Sequence, residues 1–233
     1  MHRYFLKEYG SWGVMTMAYL TGLVAAPQVN MKAFAGFFAL AFLINAKQAA
    51  TIWMRTAAEK GIAPGIIFAI QILIASALLF PLYQQYDFLS LLPFAVFPAS
   101  YLLSLKVFGE HAIITEVLGF VLLSLAALAA KAIVGSGLDT NLFIVIAVFF
   151  VAGVFRVRIQ LRKKIRYRVV MFCYVGVAAG FFYLMGYRTV LLLPLVDNLV
   201  FALTLYRVGL QATGWIEMAK GFAFLLLIAA FGY

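Results

Sequence analysis

Long apolar stretches, separated by short polar or proline-containing breaks, run from one end of the chain to the other. A helix needs about 20 predominantly apolar residues to span the hydrocarbon core of a bilayer. Stretches of this kind predict nine spanning helices, at about residues 11–26, 32–52, 63–82, 87–105, 111–135, 140–158, 167–186, 189–206 and 213–232. We therefore expect an all-α, polytopic membrane protein that forms a single integral membrane domain over residues 1–233.

Three prolines fall inside predicted helices rather than between them. Pro93 and Pro98 lie in the fourth predicted span, and Pro194 lies in the eighth. Proline removes a backbone donor and clashes with the preceding turn. Membranes tolerate the resulting break where neighbouring groups satisfy the freed backbone. Kinked or broken helices are expected at these two spans.

The composition excludes a soluble protein. Hydrophobic residues make up 66% of the chain and charged residues only 11%, whereas a soluble domain is about half apolar and a quarter charged. The one cysteine, Cys173, lies in an apolar run. It cannot form an internal disulfide, and we expect it to be a small buried residue.

The basic residues predict the orientation of the chain. If the N-terminus is cytoplasmic, three of the eighteen Lys and Arg residues fall in outer segments, Lys220 falls inside the ninth span, and fourteen fall in cytoplasmic segments. The positive-inside rule then places the protein in the inner (cytoplasmic) membrane with its C-terminus outside. The fourteen are Arg3, Lys7, Lys47, Arg55, Lys60, Lys106, Arg156, Arg158, Arg162, Lys163, Lys164, Arg166, Arg168 and Arg207.

The net charge of +10 follows mostly from this bias. Basic residues at the cytoplasmic face need only meet anionic lipid head groups. We therefore expect membrane lipids as partners, with other membrane proteins in a complex, and no nucleic acid.

Ionisable and polar groups inside membrane spans are costly and hence candidates for function. We expect the inner rim of the bundle to form a ligand-binding cavity, with an intramembrane polar pair, Asp197 and Asn198, deeper in the bilayer. The pair has two interpretations, a hydrogen-bonding site at a helix kink or a contact to a ligand or proton. The cavity candidates are Glu8, Trp12, Asn45, Gln48, Arg55, Glu116, Arg156, Arg158, Arg162 and Glu217.

Local patterns refine these candidates. Glu217 is predicted in the first turn of its helix, where the dipole favours an acid, and Glu116 nearly two turns into its own. Arg158, Arg162 and Arg166 are predicted on one helical stripe, either as an anionic head-group site or as topology determinants. No spacing of ligands predicts a metal or haem site, and no residue is assigned a catalytic role.

Three stretches resemble the YwiC-like family of bacterial membrane proteins. They are "LKEYGSWGVMTMAYLTGL", "FFVAGVFRVRIQLRKK" and "ATGWIEMAKGFAFLLL". Tyr9 and Ser11 stand where the opening family motif has His and Ala. The family has no firmly assigned activity, and the resemblance implies only an association with nitrate-type respiration.

A more distant resemblance concerns "NAKQAATIWMRT" at the end of the second predicted span. Nine helices with a polar Asn-containing segment here are similar to the UbiA superfamily of intramembrane prenyltransferases. Asn45 matches the family's Asn, but Ala46, Ala49 and Trp53 stand where its three Asp would be. The resemblance implies a UbiA-like helical bundle. Mg²⁺ needs oxygen ligands, and the side chains of Ala46, Ala49 and Trp53 supply none. Mg²⁺-dependent prenyl transfer is therefore disfavoured.

The function that these patterns favour is non-enzymatic. We expect an accessory protein or subunit of a respiratory membrane complex that binds an isoprenoid or quinone-type lipid and has no other cofactor. Two alternatives remain open, a divergent prenyl or lipid transferase and a small-solute transporter.

Overall fold

The computed structural model describes residues 9–56, 62–83 and 88–233. Every regular element in these ranges is helical. In chain order the α-helices are α1 (Tyr9–Val24), α2 (Lys32–Thr56), α3 (Ala63–Tyr83), α4 (Val96–Phe108), α5 (Ile113–Ile133), α6 (Thr140–Arg162), α7 (Ile165–Leu184), α8 (Val196–Thr204) and α9 (Leu210–Phe231). The candidate Glu8 and the predicted cytoplasmic cations Arg3, Lys7 and Lys60 lie outside the described residues.

Seven helices are long and apolar enough to cross a membrane, counted over the described ranges. This confirms an all-helical membrane protein. Helix α1 has only 16 residues, and the segment Thr189–Thr204 is a shorter apolar helix, so these two fall below the length that defines a span. The seven are Lys32–Trp53, Ala63–Phe80, Leu89–Phe108, Ile113–Ile133, Thr140–Arg162, Ile165–Leu184 and Leu210–Phe231.

Two of the predicted spans are broken, as their prolines indicated. A 3-10 helix at Phe88–Ala95 contains Pro93 and leads into α4. A second, at Thr189–Leu195, contains Pro194 and leads into α8. Pro98 lies in the first turn of α4, where a missing backbone N–H costs little. Each break starts a new helix inside an apolar segment.

Helix α6 lies at the centre of the bundle. Of its most apolar window, 83% is buried inside the protein, against 39% or less for each of the other six candidate spans. Side chains of α6 pack with those of α1, α5, α7 and α9 in the main core, where Phe149 stacks on Phe224 with ring centroids 4.1 Å apart. A polar residue in this buried part of α6 therefore contacts protein rather than lipid.

Glycine permits a close contact between α1 and α5. Helix α1 packs on α5 so tightly that a Cβ on Gly22 would overlap the backbone of Ala127. By contrast, Gly176 and Gly180 on α7 are exposed with open space around them. Their four-residue spacing of small residues often marks helix packing, but it does not do so within the described chain.

Cys173 lies on the outer face of α7 and is exposed, so the expectation of a buried thiol was wrong. The apolar run around it faces the exterior of the bundle, where the neighbours Phe172 and Val177 are also exposed. In a membrane protein, apolar sequence marks both lipid-facing and core positions.

Candidate functional site

Four charged side chains from three helices meet beside the central helix. Arg156 of α6 is fully buried, and its guanidinium forms a salt bridge with Asp197 of α8. Its Nε lies 3.4 Å from Oε1 of Glu217 on α9. Arg156 also donates from Nη1 to Oδ1 of Asn198, at 3.1 Å, and from Nη2 to the hydroxyl of Tyr206, at 2.6 Å.

Lys220 of α9 brings the second positive charge. Its Nζ donates to Oε1 of Glu217 and to Oδ1 of Asn198, and lies 3.8 Å from Oδ2 of Asp197. The two cations and two carboxylates balance, so the group is neutral when all four are ionised. Arg156, Asp197, Asn198, Tyr206, Glu217 and Lys220 are called the charge cluster below.

The charged residues of the cluster lie well away from those ends of α6, α8 and α9 that face the basic side of the bundle. Arg156 is six residues before the end of α6, Asp197 is seven before the end of α8, and Glu217 is seven after the start of α9. At 1.5 Å per residue this depth is roughly 10 Å. Charged groups at such depth pair with one another or mark a functional pathway.

The helix break at Pro194 positions Asp197, one of the two acids of the charge cluster. Because α8 begins at Val196, Asp197 lies in the first turn of a helix that starts inside the apolar segment. The positive end of the helix dipole favours a carboxylate there. The phenol of Tyr206 donates to Oδ1 of Asp197, at 2.9 Å, so the residue is held by both Tyr206 and Arg156.

Asn198 joins helices and leaves one donor unpaired. Its Oδ1 accepts from both Arg156 and Lys220, so the pair Asp197–Asn198 connects α8 to α6 and α9. Its fully buried Nδ2 has no hydrogen-bond partner within the described part of the chain. Both interpretations of the pair remain open, because the residue makes interhelical bonds and also offers an unused donor.

The rest of the basic run makes separate contacts. Arg158 pairs with Glu116, Nε to Oε2 at 2.7 Å, and donates to the carbonyl of His111. Arg168 donates to the carbonyls of Ala202 and Leu203 at the end of α8. These arginines join α5, α6, α7 and α8 at one end of the bundle.

Three local expectations were wrong. Helix α6 ends at Arg162 and α7 begins at Ile165, so Arg166 does not continue the stripe of Arg158. Glu217 lies in the third turn of α9, since that helix begins at Leu210. Glu116 lies in the first turn of α5.

The polar end of α2 lies against a large apolar cavity. Ala46, Lys47 and Ala50 line a half-open cavity of about 510 Å³ between α2, α3, α4, α5 and the 3-10 helix before α4. Of the described residues that line it, Lys47 is the one that carries a charge, and its Nζ lies 4.9 Å from the ring centroid of Tyr101. The cavity is therefore lined by apolar side chains, with Lys47 as the charged group of its described lining.

The candidates from the sequence therefore divide into several groups. Arg156, Asp197, Asn198 and Glu217 come together, while Arg158 and Glu116 pair elsewhere. Of the others, Trp12 packs against the main core, Asn45 donates to the carbonyl of Ala41 within α2, Gln48 is half-buried, Arg162 is exposed, and the side chain of Arg55 lies outside the described residues.

Sequence reasoning did not select Lys220 or Tyr206 for the site, nor Lys47 for the cavity. The signal for Lys220 was present, because a cation sits well inside an apolar helix three residues from Glu217. Tyr206 follows the end of α8 and carried no such signal. Lys47 was counted only as a cytoplasmic cation of the positive-inside bias.

No group of three or more His, Cys, Asp or Glu side chains within residues 9–56, 62–83 and 88–233 could hold a metal ion. No protein-family model, curated protein or solved structure matches this chain.

Proposed function

We propose that the protein crosses the inner membrane nine times, with its N-terminus in the cytoplasm. Tyr187, after α7, donates to Asn141 at the start of α6, at 3.1 Å. Gln160, near the end of α6, donates to Val208 just before α9, at 2.7 Å. The segment Thr189–Thr204 therefore connects opposite ends of α6, which supports counting it as a crossing.

Further contacts support the same alternation. Lys131 at the end of α5, Asp139 before α6 and Tyr233 after α9 meet at one end of the bundle. Arg158 and Glu116 join the other ends of α6 and α5. With the basic residues concentrated at that second end, the positive-inside rule makes it cytoplasmic.

The orientation has a direct test. Alkaline phosphatase fused after Tyr233 should be active, because it would lie outside the cytoplasm, whereas green fluorescent protein at the same position should not fluoresce. The reverse pattern would place the C-terminus in the cytoplasm and refute the proposed orientation.

We propose that the half-open cavity between α2, α3, α4 and α5 binds an isoprenoid or quinone-type lipid without chemical turnover. The observation that carries this proposal is an apolar cavity of about 510 Å³ with Lys47 as its single charged lining residue. Lining residues of α5 run from Gly119 to Ala129, a length of about 15 Å. Such a slot suits a long apolar chain.

The head of the ligand would lie near Lys47. Neither salt bridges nor other interactions pair this ammonium with an acid of the described chain. It can therefore donate to a quinone carbonyl or an anionic group. Because bilayer tails are as apolar as the cavity, burying the tail gains little, and selectivity would come from this head contact and from shape.

The first test is the ligand content of the purified protein. Native mass spectrometry in mild detergent, followed by organic extraction, should find a co-purifying isoprenoid or quinone-type lipid. Ala50→Phe, which fills the cavity, should reduce its occupancy, while Ala77→Phe on the exposed face of α3 should not. Lys47→Gln should weaken retention, with Lys106→Gln as the matched charge control. Wild-type protein without such a lipid, or equal occupancy in the Ala50 and Ala77 variants, would refute the proposal.

A transporter is the second candidate, favoured by the charge cluster at the broken helix α8. Helix breaks with buried polar groups are typical of midplane substrate sites in transporters. Flux in proteoliposomes that is lost in Asp197→Asn but kept in Asp139→Asn would support it. Inactive wild-type protein would oppose it.

A divergent prenyl or lipid transferase is the enzymatic alternative. The residues that line the cavity include no carboxylate, so transfer here would have to rely on Lys47 in place of Mg²⁺ ligands. That mechanism predicts turnover of prenyl diphosphates that EDTA does not inhibit. Absence of transfer across a panel of prenyl diphosphates would eliminate it.

A further inference from the structure

A second cavity, of about 520 Å³, lies where α6 and α8 end and α9 begins. Among its described lining residues are two exposed cations, Lys163 and Arg207, and no acid. Tyr206 also lines it. The cavity is separate from the apolar one beside Lys47, and its lining is far more polar.

The two cations of this cavity differ from those deeper in the protein. Arg156, Arg158, Lys131 and Lys220 each pair with a carboxylate. Over the described ranges, Lys163 and Arg207 form no salt bridge. They lie 44 positions apart in the sequence, yet both line one cavity, so the fold places two cations there whose charge no acid of the described residues pairs with.

The start of α9 adds backbone donors to the same wall. Gly209, the N-cap, and Leu210, the first helical residue, both line the cavity. Glycine offers no side-chain acceptor, and the first turn of α9 contains no acid. The first N–H groups of a helix lack partners within the helix and favour anions. The residues that carry them line the same cavity as Lys163 and Arg207.

The backbone is strained at the same place. Lys163 and Leu205 are the two non-glycine residues with positive φ in the described chain, at 48° and 50°, and both line this cavity. Left-handed conformations are unfavourable for such residues, and they persist where the surrounding structure holds them, often at functional sites. Here the left-handed turn ends α6 with a lysine where glycine is usual.

We propose that this cavity binds a phosphate group, carried by an anionic phospholipid or by a phosphate ion in solution. Lys163 and Arg207 would bind the oxygens through charge-assisted hydrogen bonds, and the start of α9 would supply N–H donors. The cavity lies at helix ends on the basic side of the bundle, so both a phospholipid head group and a phosphate ion in solution could reach it. The proposal does not depend on a ligand in the apolar cavity.

Two probes separate the sources. Binding of radiolabelled inorganic phosphate to the purified full-length protein is measured by equilibrium dialysis. Binding of phosphatidic acid is measured by native mass spectrometry, with diacylglycerol, which lacks the phosphate, as the reference lipid. We expect the wild type to show at least one of two results: it binds phosphatidic acid more tightly than diacylglycerol, or it binds inorganic phosphate. Phosphatidic acid alone identifies a membrane source, and inorganic phosphate alone identifies a soluble one.

Two sets of variants test the residues. Lys163→Gln with Arg207→Gln should weaken phosphate binding about tenfold or more, since two charged contacts are lost. Lys106→Gln with Lys164→Gln removes the same charge from exposed positions outside the cavity, and should leave binding within about twofold. Leu210→Pro keeps the helix but deletes one N–H, and should weaken binding relative to Leu210→Ala.

The proposal fails if the wild type binds neither inorganic phosphate nor phosphatidic acid above diacylglycerol. It also fails if the control pair reduces binding as much as Lys163→Gln with Arg207→Gln. Far-ultraviolet circular dichroism and elution as one species establish that each variant is folded. The Leu210 variants provide the comparison if the double charge variant does not fold.

Discussion

Replacing Arg156 with methionine tests whether the charge cluster holds the central helix in place. The change keeps an elongated apolar stem but removes one of two positive charges from the buried group. Asp197 and Glu217 would then share Lys220 alone, and the cluster would carry a net negative charge. Breaking a buried ion pair by removing one partner typically costs about 3–5 kcal/mol.

The exposure of the carboxylates sets the expected magnitude within that range. The side chain of Arg156 is 0% exposed, whereas those of Asp197 and Glu217 are 36% and 26% exposed. The acids therefore keep part of their hydration when the guanidinium is lost. We expect Arg156→Met to lower the free energy of unfolding by about 3 kcal/mol, at the lower end of the range.

The assay is reversible unfolding in mixed micelles, with sodium dodecyl sulfate as denaturant and circular dichroism as the signal. Arg162→Met is the matched control, because it lies on the same helix but is exposed; it should change stability by about 0.5 kcal/mol or less. Adding Asp197→Asn to Arg156→Met restores charge balance, so the double variant should be more stable than the sum of the single effects predicts. Equal losses for Arg156→Met and Arg162→Met would refute a stabilising role for the cluster.

Two further predictions concern packing and pH. Gly22→Leu should destabilise the protein by several kcal/mol or prevent folding, because its side chain would overlap the backbone of α5. Gly176→Leu, at a glycine with open space around it, should have almost no effect, and thermal unfolding in detergent compares the two variants. Burial raises the pKa of Asp139, but hydrogen bonds from Lys131 and Tyr233 outweigh it and hold that pKa below its ordinary value. Stability from this carboxylate should thus be complete above the ordinary pKa and fall as the pH drops through the lowered one, and Asp139→Asn should abolish that part of the acid dependence measured in the same assay.

Membrane class and helix breaks follow from the sequence alone. Apolar length specifies a spanning helix because backbone groups in lipid must be satisfied within the segment, and this local requirement needs no knowledge of neighbours. Pro93 and Pro194 likewise act on their own turns. The helix limits were predicted less accurately. Glu217 was expected in the first turn of its helix and lies in the third, and Glu116 was expected nearly two turns into its helix and lies in the first turn.

The partners of the polar groups were decided by tertiary structure. Arg156 and Arg158 are two residues apart in one basic run, yet one is enclosed by α8 and α9 and the other reaches α5. The positive-inside bias explains why both arginines occur in this segment, but it does not predict that their partners differ. Cys173 shows the same limit for apolar residues, because in lipid the outside of the bundle is as apolar as its core. Sequence thus determined which segments enter the membrane, and packing determined which side chains meet there.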